Sequence, residues 1–296
     1  MQTPHTPGIN ISNATVKSVV NALTYKASAQ QLNKQTDSII KELPLQIVIA
    51  YGNDGNRKRE ILSVTMRTPG DDFNLVKGFL FCEGIIRQAG DIVSMRYIGN
   101  TEDETLSESI LLVELAEEVI FNKTGTSRNF IINSSCGYCG KTMGDLGIGE
   151  EVFLPLKKNM LIHLKDLYRL PALLQSSQGL FNTTGGAHGV ALINNKLEIT
   201  AMAEDVGRHN AMDKLVGAML NQQALPLHQH LVLFSGRLSY ELVQKSLMAG
   251  IPFICAIGAP TSLAVELAEA YGITLIGFLK SESFNVYSGA EKIIQS

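Results

Sequence analysis

Nothing in this 296-residue sequence carries the usual marks of export, membrane insertion or nucleic-acid binding. The opening MQTPHTPGINISNATV has neither the basic start nor the apolar run of a signal peptide. Apolar stretches stay short of the roughly 20 residues needed to span a bilayer. A formal charge of −3, with no clustered Lys/Arg run, argues against the basic footprint that nucleic acid demands. Internal repeats and low-complexity tracts are also missing. The expectation is a soluble, cytoplasmic protein with no nucleic-acid and no membrane partner.

Cysteine is scarce as well, at four residues. Cys82 and Cys255 lie inside the apolar stretches GFLFCEGII and IPFICAIGA and read as buried small hydrophobes. Cys136 and Cys139 form a CxxC pair in the polar, Gly/Ser-rich run Asn133 to Lys141. In a cytosolic chain such a pair points to metal or thiol chemistry rather than a structural disulfide. A structural zinc site wants four ligands, usually two such pairs, and this chain has one pair and scattered histidines. A zinc deaminase wants an upstream His-x-Glu and a Pro before the first Cys, but Ser135 stands there and no histidine lies between His5 and Cys136. A redox pair is chemically open, though the surrounding elements do not resemble a thioredoxin start. A thiolate favoured by a helix start and by Lys141 could instead accept sulfur as a persulfide and pass it on. On these residues alone the zinc, redox and sulfur-carrying readings all stand.

What is present is enough apolar content, 45%, for a sizeable core. Residues 1–42 show little periodicity and read as a partly disordered lead-in. Strands are expected at Leu45 to Ala50 and Ile61 to Met66 around a Gly52–Gly55 turn, followed by a helix after Pro69-Gly70 with Asp71 as cap. Phe73, Val76 and Leu80 would share that helix's buried face, while Asp71, Asp72 and Glu83 read as exposed acids. Strands at Ile92 to Ile98 and Ser109 to Leu115 complete a small α+β domain, 43–127. In 128–296, strands at 190–193, 197–201, 231–234, 253–257 and 273–278 alternate with helices at 210–220, 240–249 and 263–271. That rhythm predicts a sheet sandwiched between helices.

Four segments of this half suit an anionic ligand. Glu204 to Asn210 puts Arg208 at a strand-to-helix junction where a phosphate could sit, or where the acids could simply pair with Arg208. Thr184, Gly185 and Gly186 offer backbone amides beside His188, or form an ordinary tight turn. Ser235, Gly236 and Arg237 end a strand, where open α/β sheets hold ligands, or form a surface turn. Phe278, Leu279, Lys280, Ser281, Glu282 and Ser283 offer an aromatic and a cation, or a solvated loop.

Separated blocks then occur in a specific order: Thr68 to Asp72, Gly78 to Ile86, Ser135 to Gly140, Phe181 to His188, Glu204 to Lys214 and Ser235 to Glu241. In these the chain resembles the FdhD/NarQ family of sulfurtransferase accessory proteins for formate dehydrogenase, from about Leu45 to Tyr287. The resemblance implies an α/β fold, a cytidine deaminase-like three-layer α/β/α domain joined to the smaller α+β domain, in a homodimer. It implies that a cysteine desulfurase loads sulfur onto Cys136, with Cys139 assisting or guarding it. The acceptor would be a molybdenum cofactor bearing two pterin guanine dinucleotides, destined for formate dehydrogenase or a related molybdoenzyme. It aligns Phe278 to Ser283 with a segment that contacts guanine dinucleotide. A non-catalytic cofactor chaperone is the alternative.

Overall fold

The computed structural model describes residues 9–10, 18–99, 107–121 and 160–295. After β1 (Ile9–Asn10), β2 (Val19–Ser28) and β3 (Gln31–Ile40) pair in register as an antiparallel hairpin. This departs from the expected lead-in. Its outer apolar residues face solvent, with Leu23, Tyr25 and Leu32 61–70% exposed, so no buried stripe announces it. Backbone pairing along ten residues per arm supplies the order instead.

A four-stranded sheet follows, in the order β5-β4-β7-β6, from β4 (Leu43–Tyr51) and β5 (Lys58–Arg67), then β6 (Ile92–Tyr97) and β7 (Ile110–Leu115). Helix α1 (Asp72–Cys82) lies between β5 and β6 in sequence. Asp71 takes the N-cap position but with left-handed backbone, φ 56°, and no side-chain cap. Val76 and Leu80 are buried as the periodicity predicts, whereas Phe73 is 39% exposed and Leu75 fills the core instead. Asp72 is not an exposed acid. It is 2% exposed and takes a bidentate grip from Arg67 (2.9 and 2.7 Å) plus the Tyr97 hydroxyl at 2.8 Å.

The rest of the chain runs β8 (Ile162–His163), α2 (Leu164–Leu167), α3 (Leu170–Ser177), α4 (Gly179–Thr184), β9 (His188–Asn194) and β10 (Ile199–Asp205). Then come α5 (Arg208–Asn221), β11 (His230–Phe234), α6 (Tyr240–Met248), β12 (Phe253–Ala256), α7 (Ser262–Ala270), β13 (Thr274–Gly277), β14 (Asn285–Ser288) and β15 (Ile293–Ile294). Among the described residues a seven-stranded sheet has the order β1-β10-β9-β11-β12-β13-β14. β11, β12 and β13 are mutually parallel, and β9 is antiparallel to both neighbours.

Its central strands carry unbroken apolar runs, residues 190–193, 231–234 and 253–256, because both faces are covered. Val190, Leu192, Val232, Phe234 and Ile254 point into one core with Leu215, Val216, Leu242 and Val243 of α5 and α6. Ala191, Ile193, Leu231, Leu233, Phe253 and Cys255 point into another with Ile162, Leu167, Leu170 and Leu174. The first core also takes in Leu45, Ile47, Leu111 and Val113 of the smaller sheet. The chain's two halves are thus divided by sheets, not by cores.

Helices α1 and α5 cross at glycine. A Cβ at Gly78 would lie 1.9 Å from the Asp213 carbonyl oxygen, and one at Gly217 would lie 1.9 Å from that of Asn74. Neither obstacle is a movable side-chain tip, so the helices must separate. Gly78→Ala is therefore expected to cost about 3 kcal/mol, the upper end of overpacking penalties, read as a lower urea midpoint at unchanged slope.

Candidate functional site

The strand directions gather one set of loops at one sheet edge. β11, β12 and β13 end there, and antiparallel β9 begins there with His188 paired to Asp205, the last residue of β10. Ser235 follows β11, its Oγ accepting the Gly189 amide at 2.9 Å and its own amide donating to the Gly189 carbonyl at 2.9 Å. Gly236 packs on His188: a Cβ there would be 3.1 Å from His188 Nδ1. Gly258, after β12, lies so close that its Cβ would meet the Gly236 carbonyl oxygen at 2.8 Å. The Phe278 amide donates to the Gly258 carbonyl at 3.0 Å. Three loops thus stack through bare backbone, and Arg237 extends from them into solvent.

Phe278 closes this row in left-handed backbone, φ 53°, with its ring 43% exposed. A strained conformation that holds an aromatic ring in solvent is the kind found at ligand clamps. Leu279 turns inward and is 1% exposed, so only its backbone faces the edge. Lys280, Ser281, Glu282 and Ser283 form an exposed turn closed by the Lys280 amide on the Ser283 carbonyl, 2.8 Å.

The acids beside Arg208 do not pair with it. Glu204 is buried and accepts the Leu180 and Phe181 amides, both at 2.9 Å, at the start of α4. Asp205 is buried against Lys214 Nζ at 2.8 Å and accepts the amides of Thr68 and Gly207 and the Asn210 side chain. Arg208 Nε is buried with no hydrogen-bond partner among the described residues. An orphaned guanidinium N–H beside a helix start fits an incoming anion.

Next to it, His209 Nε2 lies 3.0 Å from Ser239 Oγ and 3.1 Å from Glu241 Oε2. Burial, reinforced by the positive charges of Lys245 and Arg208, pushes His209 down to about 3. The ring is neutral at ordinary pH, and the Glu241 carboxylate, which can only accept, favours the tautomer with the proton on Nε2. His188 is likewise held below its usual value by burial and then by Arg208, against an opposing pull from Asp205.

The turn at Thr184 to Gly186 is not an amide cradle. Thr184 Oγ1 donates to the Leu180 carbonyl at 2.7 Å, the Gly185 amide to Phe181, and the Gly186 amide to Thr184 Oγ1. The segment ends α4 and so presents the carbonyl end of that helix, not its amides. Its bearing on the site is to deliver His188. Sequence reasoning also passed over Gly258, His209, Ser239 and Glu241. The last three stood inside quoted motifs, but only the fold brings α5 and α6 together. Cys136 and Cys139 lie outside the described residues.

The FdhD/NarQ family model matches residues 40–294. The chain belongs to the FdhD/NarQ family. It is 41% identical over 267 residues to "Sulfur carrier protein FdhD" of Mycolicibacterium paratuberculosis, spanning 90% of this chain and 95% of that one. It is 38% identical to the protein of the same name from Saccharolobus solfataricus, spanning 88% and 92%. A crystal structure described as a formate dehydrogenase accessory protein from Desulfotalea psychrophila shares the fold, with TM-score 0.67, 23% identity and coverage of 94% and 100%. The blocks around Arg208 and Ser235 thus sit within the FdhD/NarQ match. Among the described residues no helix is long and apolar enough to cross a membrane.

Proposed function

We propose that this FdhD/NarQ chain is a sulfur carrier for formate dehydrogenase or a related molybdoenzyme. It takes sulfur from a cysteine desulfurase onto Cys136 and delivers it to a molybdenum cofactor with two pterin guanine dinucleotides, its substrate. In loading, the Cys136 thiolate attacks the outer sulfur of the donor persulfide. A new S–S bond forms as the donor's breaks, and the donor leaves as a thiolate, so no oxidant is consumed. Cys139 is the partner thiol of the pair.

One observation carries the reading beyond family membership: His188, Arg208, Ser235 to Arg237 and Phe278 share one sheet edge, with Arg208 Nε lacking a partner among the described residues. Such an edge suits a dinucleotide. Arg208 and Arg237 would meet its pyrophosphate, the Gly236 and Gly258 loops would let the phosphates approach backbone, and the Phe278 ring would stack on guanine. In this reading the seven-stranded sheet with helices on both faces is a cytidine deaminase-like domain, and the protein works as a cytoplasmic homodimer.

The test is intact-mass spectrometry after incubating the full chain with a cysteine desulfurase and cysteine. The expected result is a gain of one sulfur on the peptide holding Cys136, absent in Cys136→Ala. An equal gain in that variant would overturn the assignment.

A further inference from the structure

The described residues put two imidazoles close to Arg208 at one sheet edge. His188 packs against Gly236 from β9, and His209 is clamped by Ser239 and Glu241 of α6. The two differ in what holds them. His209 has its Nε2 committed and Lys245 and Arg208 as cationic neighbours. His188 faces Arg208 of α5 and Asp205 of β10, and no described hydrogen bond ties its ring. Asp205 is already shared among Lys214 and several amides.

Resting on the reading of this edge as a pyrophosphate site, we propose that His188 takes up a proton when the pyrophosphate binds, making it a second, ligand-induced cation beside Arg208. In the free protein, burial and the uncompensated Arg208 charge keep the ring neutral. A phosphate anion entering against Arg208 cancels that charge and brings its own, so protonation becomes favourable. His209 stays neutral throughout and serves to position Arg208's neighbour helix α6 through Ser239 and Glu241. A neutral, partly buried imidazole costs less to hold there than a further permanent cation beside Arg208.

The sign follows from linkage. The free-state value is depressed and the bound-state value raised, so affinity is highest below the free-state value and falls as pH rises between the two, by up to about tenfold per unit for one proton. Above the bound-state value it is flat again.

The probe is GDP-mannose, whose pyrophosphate is esterified at both ends and keeps its charge fixed across neutral pH, so any proton change belongs to the protein. Calorimetric titration of the full chain at pH 7 in two buffers of different ionisation enthalpy reads the protons taken up. Net uptake in the wild type, lost in His188→Gln, supports the proposal. So does retained binding with pH-independent affinity in His188→Lys, where the charge is permanent. Binding without uptake, or uptake that persists in His188→Gln, overturns it while leaving the anion site standing. No binding of GDP-mannose at millimolar concentration overturns both.

Discussion

Lys245→Ala should lose about 3–5 kcal/mol of folding stability, the usual consequence of stranding a buried charge. Lys245 and Asp213 are 7% and 3% exposed, and the ammonium meets the carboxylate in a short ion pair beneath the α1–α5 crossing. The Phe79 ring lies 5.8 Å from Nζ, and the Cys82 thiol adds a hydrogen bond to Asp213. Burial already pushes Asp213 up, and Lys245 is the main group pulling it back. Without the lysine, Asp213 must stay charged in an apolar surround or take a proton. The loss is therefore largest near neutral pH and shrinks as acid protonates Asp213, because its folded value then lies far above its unfolded one. Urea melts at pH 7 and pH 5 check both magnitude and direction. Removing both charges, as in Asp213→Leu/Lys245→Met, should recover most of the loss, since a matched buried pair contributes little net.

Much of the second half was legible because burial on both faces writes apolar runs into a strand. Residues 231–234 and 253–256 carry no polar position, and the helix that follows each ends at Gly250 and Gly272 respectively, both with positive φ. The hairpin of β4 and β5 was legible from its turn. Other parts were not, for identifiable reasons. β2 and β3 face solvent along most of their length, so alternation has nothing to distinguish. β10 runs on through Glu204 and Asp205, acids that look like a loop until Lys214 and the α4 amides are found around them. Asp72 reads as a surface acid because its partners, Arg67 and Tyr97, are set by the tertiary fold.

The candidate site shows the same division. Its ingredients were visible as motifs, since glycine beside arginine at strand ends is a local pattern. Which of them act was not visible, because that depends on what consumes each group. Glu204 and Asp205 are spent elsewhere, which frees Arg208. Gly185 and Gly186 spend their amides on α4, which removes the cradle the sequence offered. Gly258 had no motif to mark it and matters through its contact with Gly236 and the Phe278 amide on its carbonyl.

The second large effect belongs to Arg208. If its orphaned Nε is the centre of the anion site, truncation removes charge-assisted hydrogen bonds with no local acid to compensate, a loss of about 1.5–3 kcal/mol or roughly 10- to 150-fold in affinity. Arg208→Lys keeps the charge without the planar fork and should fall between. Stability should change little, because Arg208 makes no ion pair among the described residues. The decisive measurement is one titration of GDP-mannose into the wild type and Arg208→Ala at fixed salt and pH. Binding at least tenfold weaker in the variant, at an unchanged melting temperature, is the predicted result. Equal affinity in the two proteins would contradict a dinucleotide seat at this sheet edge.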